Sequence, residues 1–222
     1  AEGGPSTAKC LVIVTPDGQR SLATYLGACV NLGPGDINLE AIKEHRITYL
    51  EGYLWDLPVA KEAMLSAAKH AHLAGRRVAL TLSDSFCVSR HRGSFQKLIR
   101  SQVDILFANE EEITSLYQVS DLESAFRMVR DDCGLAAVTL GENGSVIIAK
   151  DTDITVPVEP VSQVVDTTGA GDLYAAGFLF GVTHGYDLPT SGRIASIAAA
   201  EIIGHMGARP EKNLSTLISR YL

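Results

Sequence analysis

The sequence predicts an α/β fold: a mostly parallel sheet with helices on both faces, giving three layers α/β/α. Short β-rich apolar segments alternate with helix-like segments along most of the chain, the pattern of βαβ units. Strands joined through helices return in the same direction, so the sheet is expected to be largely parallel. Composition agrees: 222 residues, 46% hydrophobic and 20% charged, exclude a disordered tail, a collagen-like repeat and a coiled coil. The length suits one domain over 1–222, and no repeat, low-complexity tract or linker divides it.

Taken in order, residues 10–14 are an apolar run, Pro16-Asp17-Gly18 is a turn signal and 21–27 is a second extended stretch. Together they make a β-hairpin. Asp36 is the expected cap of a short helix carrying Leu39 and Ile42, and 47–53 is the next strand. Residues 58–74 form a strong helix, with Ala63, Ala67, Ala71 and Ala74 as a small-residue stripe and Gly75 as its stop. Strands are expected at 78–82 and 103–107, with Asp84-Ser85-Phe86-Cys87 and Arg90-His91-Arg92 in a loop after the first. Helices follow at 110–118 and 121–132, then β-rich stretches at 135–140, 145–149 and 154–158 separated by short polar turns. The last part is helical, at 172–183, 189–205 and 214–221.

Lys and Arg number 19 against 26 Asp and Glu, a net charge of −7. Such a chain does not coat nucleic acid or anionic lipid through bulk charge, although a small phosphorylated ligand needs only local donors. The apolar runs fall short of the ~20 residues of a membrane span, and no secretory signal is visible. Cys10, Cys29, Cys87 and Cys133 form no CxxC pair and no zinc-spaced cluster, so buried thiols and a cytoplasmic location are expected. His70 and His72 lie in a helix without cysteine or carboxylate partners in view and are read as structural. The chain opens on Ala1-Glu2-Gly3-Gly4-Pro5 without an initiator Met, so a further N-terminal portion is expected.

The most informative stretch runs from Val164 through Asp166-Thr167-Thr168-Gly169-Ala170-Gly171-Asp172 into an apolar helix. Gly-Ala-Gly carries almost no side-chain bulk, so bare N–H groups and the positive end of the helix dipole converge there on any anion. A tight strand-to-helix turn capped by Asp172 accounts for the same residues. Rival anion motifs fail: there is no GxxxxGK[ST], Tyr174 stands where a dinucleotide fingerprint needs its third glycine, and neither GxSxG nor HExxH occurs. A carboxylate inside an anion cradle repels phosphate at rest, but suits a group that takes a proton from an attacking hydroxyl.

Asp166 to Asp172, followed by Ala176-Gly177-Phe178-Leu179, closely resembles the second signature of the PfkB (ribokinase-like) carbohydrate kinases, and within them the adenosine-kinase-like branch. The resemblance implies a ribokinase-like three-layer sheet in which residues of about 8–28 form part of a small β lid. It also implies ATP-dependent, Mg²⁺-requiring phosphorylation of a nucleoside or sugar hydroxyl. On that pattern Asp172 is the general base, and Gly169, Ala170 and Gly171 form the anion hole. Asn109-Glu110-Glu111-Glu112 resembles the N-x-x-E motif, so Asn109 and Glu112 would organise Mg²⁺ and phosphates through water, although a solvated first helical turn fits them too. Thr139-Leu140-Gly141-Glu142-Asn143-Gly144 resembles the nucleotide-side loop, with Thr139, Gly141, Asn143 and Gly144 near the nucleotide, and it is equally a good hairpin turn. Ser196 and Ala199 fall where the family flanks adenine, with Ser196 at a position often held by Asn. Asp166 and Thr168 match a monovalent-cation site present in some members, which leaves K⁺ open.

Members carry an N-terminal Gly-Gly substrate motif followed by Asn. Here the only Gly-Gly pair is Gly3-Gly4, leading into Pro5-Ser6-Thr7. Most acceptor residues would then lie upstream of Ala1. Tyr25–Ala28 and Glu51–Trp55 resemble lid and sheet-edge segments of the adenosine-kinase-like branch, and Arg90 with Arg92 could meet a phosphate. The expected partner is a small nucleoside or sugar, not nucleic acid or a membrane, and a homodimer stays open. A non-catalytic nucleotide-binding domain and a kinase of ribose, fructose or a sugar phosphate are the alternatives.

Overall fold

The computed structural model describes residues 4–219 and 221. Two strands, β1 (Lys9–Val14) and β2 (Arg20–Tyr25), form a hairpin closed by Thr15, whose amide donates to Gln19 O at 2.8 Å. Both strands carry exposed apolar side chains, Leu11 and Ile13 on one and Leu22 on the other. The central sheet has six strands in the order β3 (Ile47–Glu51), β4 (Arg77–Thr81), β5 (Ile105–Asn109), β6 (Leu135–Thr139), β7 (Ser145–Ala149) and β8 (Asp153–Val156). The first three pair in parallel, with Leu50 opposite Leu80 and Leu80 opposite Leu106. From β6 to β8 the connections are too short for a crossover, so those strands alternate in direction and the sheet is mixed. With its helices this is the three-layer α/β/α class.

The described residues group into two compact units. One comprises residues 4–9, Tyr25–Val138 and Ile148–Asp153; the other comprises the described residues of Cys10–Thr24, Thr139–Ile147 and Ile154–Leu222. In the first, α1 (Leu39–Glu44) and α2 (Pro58–Leu73) pack together, and α2 lies on β3 and β4. Ala60, Ala63, Met64, Ala67 and Ala71 form its buried face, small enough for close approach to the sheet. Then come α3 (Ser85–Gln102), α4 (Glu110–Tyr117) and α5 (Leu122–Asp132). Phe95 of α3 is fully buried and stacks on Trp55, ring centroids 5.7 Å apart.

In the second unit α6 (Ala170–Thr183) packs along α7 (Leu188–Ile203), and the short α8 (Leu214–Ile218) closes on α7. The α6–α7 contact needs glycine. A Cβ on Gly177 would lie 2.8 Å from Ala195 Cα, and one on Gly181 2.5 Å from Ser191 Oγ.

Several expectations are corrected. The loop expected around Asp84–Arg92 is the first half of α3, where Asp84 caps the helix by accepting from Cys87 N at 2.9 Å. A break at His91 (φ −121°, ψ 18°) interrupts the helix there, and its first half carries polar and basic residues around Cys87 and Val88, so it reads as a loop from sequence. Asn38, not Asp36, caps α1, while Asp36 accepts from Gly33 N in a preceding 3₁₀ turn. The strand expected over 47–53 ends at Glu51 and passes into a 3₁₀ turn, Gly52–Asp56. The strand expected over 103–107 is β5, Ile105–Asn109, and the last helix stops at Ile218. His72 does have a carboxylate partner: its Nε2 lies 2.8 Å from Asp104 Oδ2, which also accepts from Val78 N. Cys87 and Cys133 are buried as expected, but Cys10 and Cys29 are exposed. Of the opening residues, Ala1, Glu2 and Gly3 lie outside the described ones.

Candidate active site

Asp166 leads into the Gly-Ala-Gly turn and is 2% exposed. It accepts from Thr168 N at 2.9 Å through Oδ1 and from Gly207 N at 3.0 Å through Oδ2. Gly169 then takes a left-handed conformation (φ +83°) that L side chains avoid, and a Cβ there would press on Ala208 at 3.2 Å. It is the cap of α6, and the first helical bond runs from Leu173 N to Gly169 O at 2.9 Å. The amides of Gly171 and Asp172 precede that bond and are the donors a helix start leaves over.

Gly171 differs from Gly169. Its φ is not positive, and a Cβ there would meet no protein atom within 4 Å. Neither backbone nor packing demands glycine, so what the position keeps clear is the space in front of the turn. Asp172 makes no cap bond; it sits exposed in the first turn of α6. Partial desolvation by the surrounding protein raises its pKa above the ordinary aspartate value, and the Arg20 guanidinium opposes that rise.

Arg20 is the residue sequence reasoning missed. From the first residue of β2 its Nη1 donates to Thr167 Oγ1 at 2.7 Å, and the Thr167 hydroxyl donates to Gly18 O at 3.2 Å. The tip of the hairpin is thus bonded to the turn that carries the candidate base. No local pattern signals a contact between residues 147 positions apart.

Thr139 ends β6, and Gly141–Asn143 form a 3₁₀ turn that Gly144 closes, with Leu140 N donating to Gly144 O at 2.8 Å. Gly144 is tightly constrained: φ is +82°, and a Cβ would lie 2.2 Å from Val156 O. The next residue, Ser145, bonds Tyr174 of α6 through their buried hydroxyls at 2.7 Å. Ser196 donates to Pro157 O at 3.1 Å and accepts from Glu159 N at 2.9 Å, so its hydroxyl secures the segment after β8. Ala199 lies half-buried on the same helix.

In the first unit Asn109 and Glu112 close a reciprocal capping box at the start of α4. Asn109 Oδ1 accepts from Glu112 N at 2.8 Å, while the Glu112 carboxylate accepts from Asn109 N and Nδ2, both at 2.9 Å. Burial, helped by the charges of Asp84 and Glu111, pushes the Glu112 carboxyl up to about 7. Arg90 is spent on Asp56, with bonds of 3.0 to 3.2 Å, and Arg92 donates to Ser115 O at 2.8 Å. That pair serves the fold and does not form a bidentate phosphate clamp. Among the described residues no group of three or more His, Cys, Asp or Glu could hold a metal ion, and no helix is long and apolar enough to cross a membrane.

The chain is similar to the adenosine kinase of Saccharomyces cerevisiae, 30% identical over 94% of this chain and 65% of the relative. An uncharacterized sugar kinase of Archaeoglobus fulgidus is 28% identical over 94% of this chain and 80% of its own. The crystal structure of adenosine kinase from Sinorhizobium meliloti superposes with a TM-score of 0.97 at 49% identity, covering 99% of this chain and 68% of that one. The chain thus spans 65–80% of the length of these three relatives. Residues 2–214 match the pfkB family carbohydrate kinase description. A glycine kept clear ahead of an exposed, partly desolvated carboxylate, on a three-layer sheet, fits that match: the chain belongs to the pfkB family of carbohydrate kinases.

Proposed function

We propose that the full protein transfers the terminal phosphoryl group of ATP to a hydroxyl of a nucleoside, adenosine-like, or of a related sugar. The observation that carries this reading is the Gly171-Asp172 pair: open space over unspent amides, with a carboxylate of raised pKa beside it. Asp172 takes the proton of the acceptor hydroxyl as its oxygen bonds to the γ-phosphorus and ADP leaves. The Gly171 and Asp172 amides and the Arg20 guanidinium face the charge that develops, so the chain supplies alignment and fixed dipoles more than covalent chemistry. The names of the relatives support the nucleoside reading over a hexose phosphate.

Magnesium is the expected companion of ATP. One amide and one carboxylate, already closed on each other in the Asn109–Glu112 box, suit a cation that keeps its waters and not a protein cage. Mg²⁺, when bound, would neutralise phosphate charge. For K⁺, the oxygen-only set of Asp166 and the buried Thr168 hydroxyl is chemically suitable. The test is ADP release by the full-length protein with Mg-ATP and a panel of adenosine, other nucleosides, ribose, fructose and fructose phosphates. Nucleosides are expected to lead. Asp172→Asn should lower turnover about 10²–10⁴-fold while ATP binding by calorimetry holds. Retention of more than about a tenth of the activity would remove Asp172 from the role of base.

A further inference from the structure

We infer that Glu201 is a positioning residue for phosphoryl transfer, pinning the segment 204–212 and through it the turn that carries Gly169. The inference rests on reading that turn as the phosphoryl site. Glu201 lies in the last turn of α7 with its side chain 1% exposed. A carboxylate is poorly placed there for the helix itself, because the C-terminal end of a helix favours cations. Burying it is costly unless partners answer it. Its partners all come from the segment beyond the helix. Oε1 accepts from Glu211 N at 3.1 Å and from Lys212 N at 3.0 Å, and His205 Nε2 approaches to 3.3 Å.

That segment is mostly exposed and contains no strand or α-helix, so it has few other means of holding its course. Its second anchor is Asp166. Gly207 N donates to Oδ2 of Asp166, while Oδ1 of the same carboxylate holds Thr168 N, one residue before Gly169. Between the anchors sits Ala208, so close to Gly169 that a single added carbon would meet it at 3.2 Å. The anion turn therefore leans on a segment whose far end is fastened by Glu201. Without that fastening, Asp166 alone holds the segment, and both the wall behind Gly169 and the Thr168 amide lose their fixed reference.

The experiment compares Glu201→Leu, Glu201→Gln and Glu211→Pro in the full-length protein, reading kcat and KM with Mg-ATP and the rate of trypsin cleavage after Lys212. Glu201→Leu should lower kcat/KM at least about tenfold, most of it in kcat, a loss of roughly 1.4 kcal/mol in transition-state binding. It should also speed cleavage at Lys212. Glu201→Gln keeps an acceptor oxygen for the two amides and should return both readouts to within about threefold of wild type. Glu211→Pro removes one donor at an exposed position, so it folds even if the leucine variant does not, and it should shift both readouts in the leucine direction. Fast cleavage with unchanged kinetics in either variant would show that order in this segment does not matter to transfer. Unchanged cleavage would show that Glu201 does not hold it. Either result overturns the inference. A wild-type protein that phosphorylates nothing would instead refute the kinase reading and take this inference with it, a result separate from the cleavage rates.

Discussion

Gly169 and Gly171 answer to different demands. The first is fixed by a positive φ and by Ala208, the second by neither. Next to them, the acid–base behaviour of Asp172 depends on a side chain from the hairpin. Desolvation raises its pKa and Arg20 lowers it. A base must be ionised to accept a proton, so activity falls as pH drops through its pKa. Removing Arg20 takes away the lowering influence, and the acid limb of the kcat/KM profile in Arg20→Ala should move to higher pH. An acid limb that stays in place would mean that Arg20 does not act on Asp172. The Gly-Ala-Gly turn was legible in the sequence because it is local: small residues and the start of an apolar helix are adjacent in the chain, although the strand expected to end at Val165 is not formed and β8 stops at Val156. Arg20 was not, because only the folded hairpin brings it to Thr167.

At the scale of elements, α3 shows where pattern reading stops. Its first half reads Asp84-Ser85-Phe86-Cys87 and then Arg90-His91-Arg92, polar enough to pass for a loop, and the helix is broken at His91. What makes it a helix is tertiary. Cys87 and Val88 are buried ahead of the break, Phe95, Leu98 and Ile99 beyond it, and Asp56 gathers Arg90 and His91. The cap at Asp84 contributes locally, and Asp84→Ala should cost about 1 kcal/mol in urea unfolding. No change would show that α3 is held by its packing alone. The helices α2 and α6 were easier to read, since an alanine stripe and a run of small and apolar residues mark them without help from the rest of the molecule.

For the molecule as a whole, a net charge of −7 offers no broad field to gather anions, so affinity for ATP must come from local donors. A ligand that binds only the folded form stabilises it. Mg-ATP at about a hundred times its Kd should add roughly 2.7 kcal/mol, seen as a raised thermal midpoint. In Gly171→Val the unliganded midpoint should stay close to wild type while the rise with Mg-ATP disappears. Undiminished stabilisation would place the phosphates elsewhere. The open space at Gly171 also bears on how variation in this chain should be judged. Substitutions at Gly177 or Gly181 collide with α7 and would be noticed as poor yield or aggregation. A substitution at Gly171 would give protein of normal abundance that survives every quality check the cell or the laboratory applies to folding. If the proposed phosphoryl site is at Gly171, screens that score variants by expression level would therefore pass as harmless changes expected to abolish transfer.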